Sequence, residues 1–370
     1  MSVLLHSIEA SSLSIPFKLS FRHASAERAS TEAILVVARG RDGLVGYGEG
    51  CPRNYVTGES VQTGQAFIAS QTAGWLRAIH DVETLAHWVR GHGREIDANP
   101  AAWAAVELAI LDLLGKAAGV PVEALLSVPE LQGRFRYTAV VGDAGAAEFE
   151  AQVARYRQAG FRTFKIKLSG DASRDGAKAL ALRAAGLARA AVRADANNLW
   201  SGSDVAIPAL AAFDFPFFAV EEPLRAGDYE GMRKVGEALD SRIIVDESLL
   251  RKDQLVTLPG GSDRWLLNLR VSKMGGLLRS LDVVEEARKL GIGVIVGAHV
   301  GETSLLTRAA LVVAAAAGDA LVAQEGAFGT HLLERDLAVP PLMFGAGGWL
   351  DVETSPVRSA AGLGLDVANV

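Results

Sequence analysis

From about Tyr137 onward the chain repeats one pattern: a short apolar run, then an Ala/Leu/Arg-rich stretch such as Asp175–Arg189 or Arg279–Leu290, then another apolar run. The runs are Tyr137–Val141, Thr163–Leu168, Ala191–Asp195, Phe217–Val220, Arg242–Val245, Trp265–Leu269, Gly293–Val296 and Ala320–Ala323. Strands separated by helix-length crossovers pair in parallel. Eight such units predict an α/β fold, a (β/α) barrel whose strand ends share one mouth. Three successive units carry an acid at the end of the apolar run: Asp195, Glu221 and Asp246. The gaps are 221−195 = 26 and 246−221 = 25 residues, roughly one strand–helix–strand repeat. Carboxylates converging there repel one another unless a hard cation neutralises them. Mg²⁺ suits oxygen ligands and leaves positions open for substrate oxygens, with Mn²⁺ as the alternative.

Residues 1–125 read differently. Ala33–Ala38 and Val45–Glu49 predict two strands around a glycine-containing loop, and Gln65–Lys116 turns helical. This is an α+β domain expected to cap a barrel spanning 126–340. Residues 341–370 are expected to return to the cap. The length of 370 residues accommodates both domains. A net charge of −6 without a basic block argues against nucleic acid as a partner. The single cysteine, Cys51, rules out an internal disulfide. No stretch is long and apolar enough for a bilayer, and the first residues lack a signal-peptide pattern, so a cytoplasmic protein with no membrane partner is expected.

Lys165 and Lys167 end the second apolar run. Two residues apart on a strand, they share a face, so both ammonium groups are expected in the mouth. Their repulsion would lower the pKa of one, fitting it as a general base. Asn197 follows Asp195 on the same face, where it would reach a metal-bound water or substrate. Of the adjacent pairs Glu221/Glu222 and Asp246/Glu247, the alternation of strand faces selects one of each, and the first is chosen.

With these residues in order, the chain resembles the enolase superfamily in its mandelate racemase and muconate-lactonizing branch. The resemblance rests on Gly46-Tyr-Gly-Glu49, Ala105-Val-Glu-Leu-Ala109 with Asp112, Gly115 and Lys116, Lys165-Ile-Lys167, Asp195-Ala-Asn197, Val220-Glu-Glu-Pro223, Asp246-Glu-Ser248, Lys273-Met-Gly-Gly276 and Glu325-Gly-Ala-Phe-Gly329. It implies an enolase-type barrel with an α+β cap, Mg²⁺ on Asp195, Glu221 and Asp246, and a small carboxylate substrate. Lys167 would remove the proton next to the carboxylate to give a metal-stabilised enediolate, with Lys165 tuning it. The resemblance also implies a homo-oligomer.

One position departs from the pattern. Where muconate-lactonizing members place a second lysine after the sixth strand, this chain has Arg270. Arginine is effectively always protonated and makes a poor acceptor for a carbon-bound proton. It serves as a fixed charge or a bidentate clamp. The leading expectation is therefore one-base chemistry, a cycloisomerase or dehydratase. The alternatives are a racemase or epimerase of an amino-acid derivative or dipeptide, and a non-catalytic carboxylate-binding barrel. Lys273, three residues on, is expected to face away. His299 and Glu302 after the seventh strand, and Glu325 at the eighth, are candidate substrate contacts. Related dipeptide epimerases carry Asp-x-Asp where Glu325-Gly-Ala stands, which argues against dipeptides. Loops Phe21–Ser25 and Arg53–Thr57 are expected to cap the mouth, with Arg22, His23 and Tyr55 as specificity residues.

Overall fold

The fold was examined in a computed structural model that describes residues 5–23, 26–326 and 329–368. Eight strands pair in parallel in chain order: Arg134–Val141, Phe164–Lys167, Val192–Asp195, Ala219–Glu221, Arg242–Val245, Trp265–Leu269, Gly293–Val296 and Leu321–Glu325. The eighth pairs with the first through Gln324–Tyr137 and Glu325–Thr138, which closes the barrel. The sixth and seventh strands occupy the expected residues. The first begins earlier, at Arg134, and the fourth is a three-residue strand ending on Glu221. Its register sets Asp195 beside Glu221 on neighbouring strands.

The cap begins with a three-stranded antiparallel sheet in which Ala33–Gly40 lies between Leu5–Leu13 and Val45–Gly50. The expected single helical region is broken into the helices Val61–Ala78, Val82–Gly91, Gly93–Ala98 and Pro100–Ala118. Ser60 and Asp81 each form a capping box with the threonine three residues on, which starts the first two. Strand Val45–Gly50 lies against helix Pro100–Ala118 backbone to backbone. A Cβ at Gly46, Gly48 or Gly50 would fall inside contact distance of the carbonyls of Ala109, Ala105 and Ala101, respectively. Two-residue steps along the strand thus match four-residue steps along the helix. Gly48→Ala is expected to destabilise the fold by about 3 kcal/mol, read from its urea midpoint.

Phe21–His23, read as a loop, belong instead to a strand, Pro16–His23, paired with Ala26–Ser30. The side chains of Arg22 and His23 lie outside the described residues, as do Ala24 and Ser25. In the C-terminal segment, Trp349–Asp351 pairs antiparallel with the first barrel strand. Further on the chain meets the cap, where the Leu363 N–H donates to Asp112 Oδ1 (2.8 Å) and the Val122 N–H to Gly362 O (2.9 Å).

Two buried acids bind the cap to the barrel. Glu49 accepts from the N–H groups of Thr303 (3.0 and 3.1 Å to its two oxygens) and Leu306 (3.4 Å), and from Thr303 Oγ1 (2.6 Å). It therefore sits at the start of helix Ser304–Ala317, where its oxygens accept from N–H groups that have no partner within the helix. Glu107 does the same for helix Leu277–Leu290 through the Leu278 N–H (3.0 Å).

Candidate active site

The C-terminal ends of the strands surround a cleft lined in part by Tyr55, Lys165, Lys167, Asn197, Arg270 and His299. Asp195, Glu221 and Asp246 converge beneath it, each fully buried. Lys165 Nζ lies 2.9 Å from Asp195 Oδ2 and 2.9 and 2.8 Å from the two oxygens of Glu221. Lys167 Nζ lies 2.5 Å from Asp195 Oδ2. Asn268, on the sixth strand, donates from Nδ2 to Glu221 Oε1 (2.9 Å). Three hard oxygen donors, desolvated and set on adjacent strands, fit a small divalent cation.

Lys165 is governed by its acidic neighbours rather than by repulsion. Burial alone would lower the pKa of Lys165, but Asp195, Glu221 and Glu325 outweigh it and hold the ammonium above the usual lysine range. Asp195 is likewise held below the usual carboxylate range: burial opposes this, and Lys165 and Lys167 prevail.

Asn197 does not share the strand face. The strand ends at Asp195, and Asn197 and Asn198 follow in the left-handed region (φ 45° and 62°), which asparagine tolerates. From that turn Asn197 Oδ1 accepts from Lys167 Nζ (2.9 Å) and orients it. Glu222 points away from the cleft. It accepts from the N–H groups of Asp246 (2.6 Å) and Ser248 (2.7 Å), fixing the loop that presents Asp246. Its other oxygen accepts from Ser248 Oγ (2.8 Å) and Asn198 Nδ2 (3.1 Å). Glu247, the acid not chosen from its pair, lines the cleft itself, above the three buried acids.

Lys273 overturns the expectation that it faces away. A short helix, Val271–Met274, starts directly after Arg270, so the three-residue step follows helical rather than strand geometry. Lys273 Nζ, buried, lies 2.7 Å from Asp246 Oδ1 and 2.6 Å from Asp246 O. Burial, then Arg270, pushes its pKa down to about 7. Arg270 itself donates from Nη2 to Asp246 Oδ2 and lies 3.9 Å from Glu221 Oε1.

His299 lines the cleft from the seventh strand. Glu302 is absent from that wall. Its Oε1 accepts from the His299 backbone N–H (2.7 Å) and lies 3.2 Å from His299 Nδ1, so it fixes the turn that presents His299 rather than reaching into the cleft. Burial raises its pKa to about 7. Glu325 reaches the cleft wall with both oxygens engaged: Oε1 by Arg193 Nη2 (2.7 Å) and Nε (3.2 Å), Oε2 by Lys165 (3.1 Å). Tyr55 stands at the rim, 40% exposed. Its loop is tied down by Arg53, which donates to Val300 O (2.8 Å) beside His299.

Sequence reasoning missed Arg193 and Asn268. The signal was present in both: a polar residue inside an apolar run, two before Asp195 and two before Arg270, hence on the same inward face.

Fold and site together define a capped (β/α) barrel enzyme with a carboxylate cluster at the strand ends. Residues 148–369 match the enolase C-terminal domain-like family and residues 6–127 the mandelate racemase / muconate lactonizing enzyme N-terminal domain. The chain belongs to the enolase superfamily, in the mandelate racemase and muconate lactonizing branch, and is an enzyme of it. It is 27% identical over 286 residues to the L-Lys-D/L-Arg epimerase of Methylococcus capsulatus, covering 77% of this chain and 78% of that one. It is 26% identical to the N-succinyl-L-Arg/Lys racemase of Bacillus cereus, covering 81% and 79%. The dipeptide epimerase of Methylococcus capsulatus, solved in complex with Mg and the dipeptide L-Arg-D-Lys, superposes with a TM-score of 0.80 at 27% identity, covering 98% of this chain and 99% of that one.

Proposed function

We propose that this enzyme is a Mg²⁺-dependent racemase or epimerase of an amino-acid derivative whose amino group is blocked by an acyl group. The observation that carries the reading is the placement of Lys167 Nζ, held by Asn197 beside the carboxylate cluster and facing the cleft. Asp195, Glu221 and Asp246 would hold the cation; Mn²⁺ has the same preference for oxygen ligands. When bound, it supplies positive charge where the substrate carboxylate gains electron density. Lys167 removes the α-proton on one side. His299, steadied by Glu302, returns a proton from the side of the seventh strand.

The racemase and epimerase names among the relatives move the reading away from the one-base reaction first expected. The acyl block follows from Glu325. With Arg193 on one oxygen and Lys165 on the other, its charge is already matched, which disfavours it as the partner of a substrate ammonium. Tyr55 from the cap would contact the acyl group. The reading includes a cytoplasmic location and a homo-oligomer.

One observation favours a second reading. Arg270 stands after the sixth strand, across the barrel from Lys167 on the second, and a guanidinium does not accept a proton from carbon. If His299 does not act, the reaction is one-base, a cycloisomerisation or elimination. The test is a panel of N-acetyl and N-succinyl L-amino acids and free dipeptides in D₂O with Mg²⁺, followed by ¹H NMR and optical rotation. Racemisation of the acylated compounds alone is expected. Preferred turnover of free dipeptides, in which the acyl group itself carries an ammonium, contradicts the exclusion of an ammonium at Glu325, and loss of water or ring closure without racemisation selects the one-base reading.

A further inference from the structure

The two oxygens of Asp246 are treated differently. Oδ1 and the backbone carbonyl are held by Lys273, which is wholly buried beneath the strand end. Oδ2 is taken by Arg270 Nη2, from a side chain that is 11% exposed and forms part of the cleft wall. A cation that coordinates Asp246 from the cleft side meets Oδ2 as the oxygen on the Arg270 side, with Lys273 already on the other oxygen. The guanidinium and a divalent cation therefore contend for one oxygen atom, and like charge drives them apart.

The displaced guanidinium has the cleft in front of it. Behind it stands Gly297, where an added Cβ would lie 3.3 Å from Arg270 Cγ. In front is the cleft, lined by Lys167, Asn197, Tyr55 and His299. Arg270 Nε is buried and has no hydrogen-bond partner among the described residues, so the guanidinium brings unspent donors with it. A planar fork with free N–H groups matches a carboxylate bidentately. No free acid in the eighth-strand wall competes for it, since Glu325 is already engaged by Arg193 and Lys165.

We propose that Arg270 is a cation-displaced substrate clamp: the divalent cation takes Asp246 Oδ2, and the guanidinium moves into the cleft to bind a second carboxylate on the substrate. The substrate class is then an acyl amino acid whose acyl group itself ends in a carboxylate. This rests on the reading of Asp195, Glu221 and Asp246 as the metal site and deepens it. It also orders the events, cation first and dianionic substrate second. By linkage, a dianionic ligand strengthens cation binding by the same factor by which the cation strengthens binding of that ligand.

The test is equilibrium binding, independent of turnover. Mg²⁺ is titrated calorimetrically into the purified enzyme and into Arg270→Met, each alone, with N-acetylalanine and with N-succinylalanine. Arg270→Met is expected to bind Mg²⁺ about tenfold more tightly than the parent, since the competing cation is gone. In the parent, N-succinylalanine should tighten Mg²⁺ binding about fivefold more than N-acetylalanine does, and Arg270→Met should not distinguish them. Equal or weaker Mg²⁺ binding by Arg270→Met overturns the competition, and equal effects of the two ligands on the parent overturn the clamp. Asp195→Asn serves as the separate control. If it binds Mg²⁺ as tightly as the parent, the metal site itself is misplaced, and this inference falls with it.

Discussion

Lys167→Ala is expected to lower α-proton exchange by about a thousandfold, within the range that a positioned acid–base group contributes. The fold should survive the change. Lys165 still lies 2.9 Å from Asp195 Oδ2, so the carboxylate keeps a buried counter-charge. Unchanged thermal unfolding alongside lost exchange separates a chemical role from a structural one. Lys167→Arg should not restore exchange, because it returns the charge without a usable base. Exchange within tenfold of the parent in either variant would place the base elsewhere, with His299 the next residue to test.

Glu49→Ala is expected to cost about 3 kcal/mol of stability although Glu49 does not line the cleft, because it leaves buried donors of Thr303 unsatisfied. The loss should appear as a lower urea midpoint and as weaker substrate binding, since the helix that Glu49 caps begins two residues after Glu302. Glu49 also gives the stability a pH dependence. Burial pushes its carboxyl up to about 8, against the hydrogen bonds from Thr303 that pull it down. The folded state therefore holds the proton more tightly than the unfolded chain does. Its contribution is full below the ordinary carboxylate pKa of about 4.5 and is lost as pH rises through about 8. Glu49→Gln should flatten that part of the profile in urea titrations at pH 5, 6.5 and 8. An equally steep decline in Glu49→Gln would assign the pH dependence to another group.

The barrel was legible because its strands are short apolar runs with clear ends. Trp265–Leu269 and Gly293–Val296 fall where they were read. The carboxylate cluster was legible through the similar spacing of Asp195, Glu221 and Asp246, which the barrel turns into adjacency. What could not be read depends on geometry beyond period and spacing. Lys273 reaches Asp246 from beneath the strand end because the chain changes from strand to helix at Val271, and the phase changes with it. Asn197 was assigned a strand face, but its left-handed turn lies past the strand end. Glu302 and Glu325 were read as substrate contacts because both follow strand ends. Whether such an acid is free depends on its neighbours, and Arg193 lies 132 residues from Glu325 in sequence. Glu49 and Glu107 carried part of the family resemblance without a visible purpose. Their partners at the starts of barrel helices lie 254 and 171 residues away.

The central claim is that this enzyme takes a proton from the carbon next to a carboxylate and returns one to it. The most direct measurement is the early time course of deuterium incorporation into one enantiomer of an N-succinyl amino acid in D₂O with Mg²⁺, with both enantiomers resolved by chiral chromatography and mass spectrometry. The account predicts that deuterium appears first in the opposite enantiomer, while the starting enantiomer initially retains its protium. Formation of the opposite enantiomer with its α-protium retained, or no deuterium in either enantiomer of any N-acyl amino acid at full Mg²⁺ occupancy, would contradict it.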